Sequence, residues 1–425
     1  MDFLSRNIRR VLLLTGLSLA AGLAAAQTPA LGSRLDELLV LARQQSPELA
    51  AVRLEADAAA ERITAAGALP DPKFRMELQD ITRMGEQRAT LDPSRVGSTK
   101  YTLMQDIPWF GKRDLRQEIA ELDAKGVSAQ ASNTWNELAS QIKTLQAQRL
   151  YAQQKARLSG EQLDLMVRLE KLAQARYAGG LAAQQDVIRA QVEQTGLRNE
   201  LLAINNEQQQ LHARLNALLA RKASEPLAEV SEQRALPAPE KLDFATLAER
   251  LRASNPALFA DDAKLLAAEK NRDLAYRNRY PDVTLGVSPI QYGNSVRDWE
   301  VMLEVSIPLQ QGNRRAQERE SEKMLAAARA RKEVTANRLL GELASNLAGI
   351  DTARQTEQLA TSSLLPQAEL TYRSALASYE TGKVDFATLL DAQRQIRQAR
   401  LAQYKAQVEM QIRLAEIEKL LGEDL

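Results

Sequence analysis

Apolar residues recur at every second position in four short segments of this chain, and at helical spacing almost everywhere else. Phe74, Met76 and Leu78 alternate with Arg75, Glu77 and Gln79. Val283, Leu285 and Val287 alternate with Thr284, Gly286 and Ser288. Trp299, Val301, Leu303, Val305 and Ile307 alternate with Glu300, Met302, Glu304 and Ser306. Tyr101 and Leu103 flank Thr102, and Met104 interrupts the alternation. Each segment predicts a strand with one apolar and one polar face. Each is about 8–10 residues, near the length a tilted strand needs to cross a bilayer. The polar stretches Thr82–Ser98 and Pro289–Asp298 join them into two hairpins, over 72–107 and 282–307.

The rest reads as helix. One helix is expected over Arg34–Gly67 and a counterpart over Leu242–Arg279. Very long helical stretches come next, over Gly111–Ala178 and Gly312–Thr381, and each ends at a glycine turn. At 1.5 Å per residue such a stretch is about 100 Å long, too long for a compact globular domain. Helices then return to about Ala220 and Leu421, which makes two antiparallel hairpins. In the first returning helix Leu197, Leu201, Ile204, Leu211, Leu215 and Leu218 form a coiled-coil stripe. Gly126, Gly160, Gly341, Gly349 and Pro366 are expected to weaken or bend the long stretches.

The two halves repeat one plan. Leu35–Pro47 resembles Leu242–Pro256, Pro70-Asp71 resembles Pro281-Asp282, and the run from Ile107 to Arg113 resembles that from Ile307 to Arg314. Tyr177…Gly180…Ala190-Gln191 resembles Tyr379…Gly382…Ala392-Gln393, and Leu218-Leu219 resembles Leu420-Leu421. The offsets are about 200–211 residues and keep one order, which chance likeness between Ala-rich helices does not produce. The chain therefore divides into a first repeat over 27–220 and a second over 242–425. Arg221–Lys241 is the linker between them and carries Pro226, Pro237 and Pro239.

Composition removes most chemistry. In 425 residues there is no cysteine and one histidine, so thiolate metal sites, disulfides and a histidine-based zinc site are excluded. There is no P-loop, dinucleotide fingerprint or triad, and the expectation is that the protein is not an enzyme and needs no cofactor. The net charge of +1 offers no nucleic-acid surface. Residues 1–26 read as an export signal: Arg6, Arg9 and Arg10, an apolar run from Val11 to Leu23, then Ala24-Ala25-Ala26. The mature chain would begin near Gln27, and without a cysteine there it would carry no lipid anchor. No later stretch is apolar for about 18 residues, so a membrane location would have to use the strands. Four strands leave open edges that lipid does not tolerate, and three copies would supply twelve, an even number suited to a barrel. A half-buried sheet in a soluble protein has the same alternation.

With these features the chain resembles the TolC family of outer-membrane efflux proteins over essentially all of its mature length. The carriers are the duplicated plan, the strand-exit run Gln105-Asp106-Ile107-Pro108-Trp109-Phe110-Gly111-Lys112-Arg113, and the turn motifs Gly180–Val187 and Gly382–Gln393. The Pro-Trp-Phe-Gly-Lys-Arg run looks most like the heavy-metal branch. The resemblance implies a mainly α protein with membrane β: long antiparallel helical hairpins forming an α-barrel, and four strands per chain in a shared twelve-stranded transmembrane barrel. It implies a homotrimer in outer-membrane lipid, linked to a periplasmic adaptor and an inner-membrane pump, of RND type. The linker would lie at the equatorial region. The implied function is the outer-membrane channel of a tripartite efflux system for metal ions or drugs.

The resemblance also assigns residues. Asp186 and Asp391 sit just past the turns, where three copies would make carboxylate rings, with Gln185 and Thr388 beside them. Tyr379 matches a tyrosine that holds the closed tip, with Asp186 as its partner. Val384 stands where an arginine gate residue can occur, and Thr388 where some relatives carry a further aspartate. Gly179, Gly180, Gly382 and Lys383 mark the hairpin tips expected to dock the adaptor. Trp109, Phe110 and Trp299 are candidates for membrane-interface aromatics. Read from the residues alone, the aspartates are equally surface charges, Tyr379 packs the turn, and Trp109 and Phe110 pack a strand-to-helix corner. A type I protein-secretion duct and a periplasmic coiled-coil scaffold or adaptor are the alternative functions.

Overall fold

The computed structural model describes residues 31–82 and 89–425. The export signal expected over 1–26 and part of the loop expected over Thr82–Ser98 lie outside the described residues. Prolines cut the chain at its first bends. Periodicity predicts a single helix over Arg34–Gly67, but α1 (Leu35–Gln45) and α2 (Pro47–Gly67) are separate. Ser46 precedes Pro47, takes an extended backbone (φ −64°, ψ 117°) and accepts a hydrogen bond from Leu49 N. A residue before proline is pushed out of the helical region, and the serine hydroxyl then caps the next helix. Asn255 before Pro256 divides α5 (Phe244–Ser254) from α6 (Pro256–Arg277) in the same way, its Oδ1 accepting from Leu258 N at 3.1 Å.

The first half continues through β1 (Lys73–Gln79), β2 (Ser98–Ile107), α3 (Lys112–Ala178) and α4 (Gln184–Leu218). The second half repeats the order with β3 (Asp282–Tyr292), β4 (Ser295–Ser306), α7 (Gln311–Leu359), α8 (Leu365–Glu380) and α9 (Phe386–Leu421). Glycine bends neither long stretch to breaking. Gly126 and Gly160 stay inside the unbroken 67-residue α3, and Gly341 and Gly349 stay inside α7. Gly126 faces α6, where a Cβ would sit in ordinary contact, 3.7 Å from the Ala263 methyl. The interruption comes at Ala360–Leu364, a π-helical turn just before Pro366, which has no N–H to give to a preceding carbonyl.

The strands form one antiparallel sheet in the order β1-β2-β3-β4, so among the described residues of one chain β1 and β4 are unpaired edges. The loop expected over Pro289–Asp298 is shorter than its composition suggests. Pairing continues to Tyr292↔Ser295 through an irregularity at Ile290/Gln291, and Gly293 (φ 61°) opens a two-residue turn of the primed type. Register puts Phe74, Leu103, Val287 and Val301 in one row across all four strands. These residues are exposed, as are Trp299, Leu303 and Leu285. The opposite face carries Lys73, Arg75, Lys100, Thr102, Ser288, Glu300 and Glu304, and there Thr102 and Ser288 are buried together with Met104 and Ile290. Ser288 Oγ donates to Thr102 Oγ1 at 2.9 Å, Lys100 Nζ meets Glu300 at 2.5 Å, and Asp106 accepts from Lys73 and Thr284 at 2.6 Å. Along its central strands the sheet is thus inverted relative to a sheet in water: the polar face is shielded at β2 and β3, and the apolar face points out.

Among the described residues three apolar clusters hold the helices. One joins α1 to α3 and α4 through Leu38, Ala42, Leu138, Ile142, Leu215 and Leu219. Its counterpart joins α5 and α6 to α7 and α9 around Leu247, Leu251, Leu343, Leu414 and Ile417. The third lies at the hairpin ends, around Met166, Leu169, Tyr379, Phe386 and Leu389. Each fully buried Leu or Phe contributes about 1.5–3 kcal/mol, so these stripes, rather than helix propensity, hold the rods in register. Among the described residues no helix is long and apolar enough to cross a membrane.

Candidate functional site at the hairpin ends

Both hairpins turn by the same backbone device. After α3, Gly180 takes φ 71°, its N–H bonds to Tyr177 O at 3.0 Å, and Leu181 N bonds to Arg176 O at 2.8 Å. After α8, Gly382 takes φ 74°, its N–H bonds to Tyr379 O at 3.0 Å, and Lys383 N bonds to Ser378 O at 2.8 Å. This is the Schellman ending, which needs a left-handed residue and therefore favours glycine. Gly179 and Lys383 are exposed beside these glycines.

The turns bring Tyr379 and Asp186 together. The Tyr379 hydroxyl donates to Asp186 Oδ2 at 3.4 Å, a long bond, across 193 residues of sequence. The Tyr379 ring is only 1% exposed and tilts on Phe386 at 5.4 Å. Burial, and then the neighbouring Asp186 charge, push its phenol up to about 12, with Arg176 acting in the opposite sense. The remaining candidates are placed apart from this pair. Thr388 serves the start of α9: its N–H and hydroxyl donate to Asp385 Oδ1 at 2.9 and 2.7 Å, and these bonds hold the Asp385 carboxyl below its ordinary range. Asp391 is exposed and lies 3.5 Å from Arg394, which also pairs with Glu193 of α4 at 2.8 Å. Gln185 is exposed and shares with Ile188, Val192, Leu390 and Asp391 a shallow groove between α4 and α9. Val384 packs against the apolar cluster at the tip.

Sequence reasoning missed two groups here. Asp385 is legible as an N-cap three residues ahead of Thr388. Arg176 is not. It lies over the Tyr379 ring at 4.8 Å and donates to carbonyls of both turns. Nothing in the sequence relates residue 176 to residues 379–382.

The aromatic candidates sit at the other end of α3. The Trp109 ring stacks on Tyr280 at 5.5 Å with 6° between planes and meets Phe110 edge-on at 5.9 Å. Trp109 N donates to Asp282 Oδ1 at 2.8 Å, and the buried Lys112 reaches the same oxygen at 2.8 Å and Tyr280 O at 2.9 Å. Trp109 is therefore part of the strand-to-helix corner, whereas Phe110 and Trp299 are exposed at 82% and 70%. Among the described residues no group of His, Asp or Glu is arranged to hold a metal ion.

These features can be set beside known proteins. The cobalt-zinc-cadmium resistance protein CzcC of Cupriavidus metallidurans is 27% identical over 382 residues, spanning 86% of this chain and 84% of that protein. Among solved structures, CusC superposes with a TM-score of 0.79 at 16% identity, covering 94% of each chain. The outer membrane protein VceC from Vibrio cholerae superposes with a TM-score of 0.78 at 18% identity, covering 92% of this chain and 96% of that one. The fold, mainly helical with a small sheet, is the one these structures share. The family model for outer membrane efflux proteins matches residues 38–221 and again 247–423, and this chain belongs to that family of outer-membrane channels.

Proposed function

We propose that this chain is the outer-membrane duct of a tripartite efflux system, built from three copies. The observation that carries the reading is the inverted sheet with two unpaired edges, β1 and β4. An outward apolar face suits lipid, and an open edge in lipid costs several kcal/mol per unsatisfied backbone group. Pairing β4 of one copy with β1 of the next removes both edges, and three copies close a twelve-stranded barrel. The helical hairpins then continue the path through the periplasm toward an adaptor and an RND-type inner-membrane pump. Their ends, around Gly179, Gly180, Gly382 and Lys383, are the docking points farthest from the barrel.

Within this reading, residues 1–26 direct export, and Arg221–Lys241 divides two structural repeats. The duct performs no chemistry; it supplies a water-filled path. Its cargo is small solutes, metal cations first, a preference supported by the likeness to CzcC. Asp186 and Asp391, three of each in a trimer, favour cations at the narrow end, with Gln185 and Thr388 beside them. Tyr379 bonded to Asp186 holds that end shut. A hydrogen bond to a charged group contributes about 1.5–3 kcal/mol, and three copies make a latch that is firm but can be broken.

The first test is the native mass of the protein extracted in mild detergent from purified outer membranes. A trimer is expected. A soluble periplasmic monomer absent from that fraction would sink the channel reading and favour a scaffold. In the trimer, Tyr379→Phe combined with Asp186→Ala should raise resting conductance several-fold. Unchanged conductance in a correctly assembled variant removes this latch from the account.

A further inference from the structure

We propose that Arg176 is a positioning residue that clasps the two hairpin turns of one protomer together and keeps Tyr379 seated for its bond to Asp186. This inference rests on the channel reading above and extends it to a residue outside the predicted gate. Arg176 stands in the last turn of α3, at the end of the first hairpin. Its Nη1 donates to Glu380 O, in the last turn of α8 in the second hairpin. Its Nη2 donates to Leu181 O, in the turn that leaves α3, at 3.1 Å. Its Cζ lies 4.8 Å from the Tyr379 ring centroid, and Nε is shut off from solvent between the turns without an acceptor.

One planar cation therefore spans both turns and caps the ring that carries the latch hydroxyl. The C-terminus of α8 presents unpaired carbonyls with partial negative charge, Glu380 O among them, which suits a guanidinium. The stacking on Tyr379 adds a cation–π attraction in a partly desolvated place. The Tyr379–Asp186 bond, at 3.4 Å, is the weaker tie, and the clasp sets its geometry. Any opening that draws the second hairpin away from the first must break the Arg176–Glu380 bond and unstack the ring. Gly382 fits the same account, since a Cβ there would lie 3.3 Å from Arg176 Nη2.

The test is resting conductance of the purified trimer in planar bilayers, with assembly checked by native mass. Arg176→Gln should raise resting conductance at least tenfold. Arg176→Lys should not restore the closed state, because one ammonium cannot bond two separated carbonyls and stack as a plane. The gain from Arg176→Gln should shrink in a Tyr379→Phe background, where no Tyr379–Asp186 bond remains to be positioned, and fall below threefold in a Tyr379→Leu background, which also removes the ring. A wild-type level of conductance in Arg176→Gln, full rescue by lysine, or an undiminished gain in the Tyr379→Leu background would each overturn the inference. If Arg176→Gln does not assemble, Arg176→Lys carries the test. A wild-type protein that forms no channel defeats the channel reading itself; a normal wild-type channel with an unmoved Arg176→Gln defeats only the clasp.

Discussion

Tyr177 and Tyr379 occupy the same place in the two halves, each three residues before a left-handed glycine that closes the same hydrogen-bonded turn. Tyr177 is 48% exposed and Tyr379 is 1% exposed. The hairpins differ in the same sense along their length. The first rises through an unbroken α3, and the second through α7, a π-helical turn and α8. Duplication has thus kept the turns and divided the roles. The first hairpin supplies Arg176 and Asp186, and the second supplies the buried tyrosine and an interrupted rod. A π turn accommodates one extra residue without rotating the helix beyond it, so the second rod has a place where its geometry can be adjusted.

Removing one residue from each rod probes that difference most sharply. Deleting Gly160 from α3 turns everything up to Ala178 by about 100°. Met166, Leu169 and Ala173 then leave the tip cluster, and the loss of the two larger side chains alone is about 3–6 kcal/mol. Trimer yield from membranes should collapse. Deleting the exposed Ser362 should instead convert the π turn to α-helix and leave α8 in register, at a cost within about 1 kcal/mol by thermal midpoint. Equal damage from both deletions would deny the π turn its role as a slack element.

Alkali separates the two tyrosine sites more gently. The folded protein holds the Tyr379 phenol up to about 12, above its ordinary value of 10, so between these values the folded state keeps a proton that the unfolded chain has lost. Stability from this group is complete below pH 10 and declines as pH rises toward 12, by on the order of 2 kcal/mol per chain. Comparing wild type with Tyr379→Phe by chemical denaturation across that range should show a steeper decline in wild type, the excess being the Tyr379 contribution. A smaller contrast lies in the glycines. Gly180→Ala and Gly382→Ala should each cost about 1–2 kcal/mol for the left-handed backbone. Only Gly382→Ala should also raise resting conductance, because nothing lies within 4 Å of a Cβ at 180 while Arg176 lies beside one at 382.

Much of the architecture is legible in the sequence because it depends on short-range pattern. Alternation at Phe74–Leu78 and Trp299–Ile307, the leucine stripe of α4 and the Tyr-x-x-Gly turns each report geometry within a few residues. The errors fall where two local rules compete. Helical periodicity runs across Ser46-Pro47 and Asn255-Pro256, and proline sterics with side-chain capping win. The polar composition of 289–298 suggests a loop, and the ladder to Tyr292↔Ser295 wins because one glycine turn suffices. Of the candidate site, Tyr379 and Asp186 are hydrogen-bonded, and Gln185 and Asp391 line one groove. Thr388 is engaged in capping α9, and Asp391 faces Arg394 on its own helix.

The sequence by itself determined the periods, the turns and the duplication, since a Schellman ending or a strand face is encoded in neighbouring residues. It also determined that the chain has no thiol chemistry and almost no imidazole. Tertiary structure decided which tyrosine of the duplicated pair is buried, and that Arg176 reaches across to the second hairpin. It also decided that the polar face of the sheet is shielded along the central strands β2 and β3. The physical reason is common to all three. Burial and long-range hydrogen bonds depend on which faces the packed hairpins and the sheet bring together, and no window of neighbouring residues carries that information.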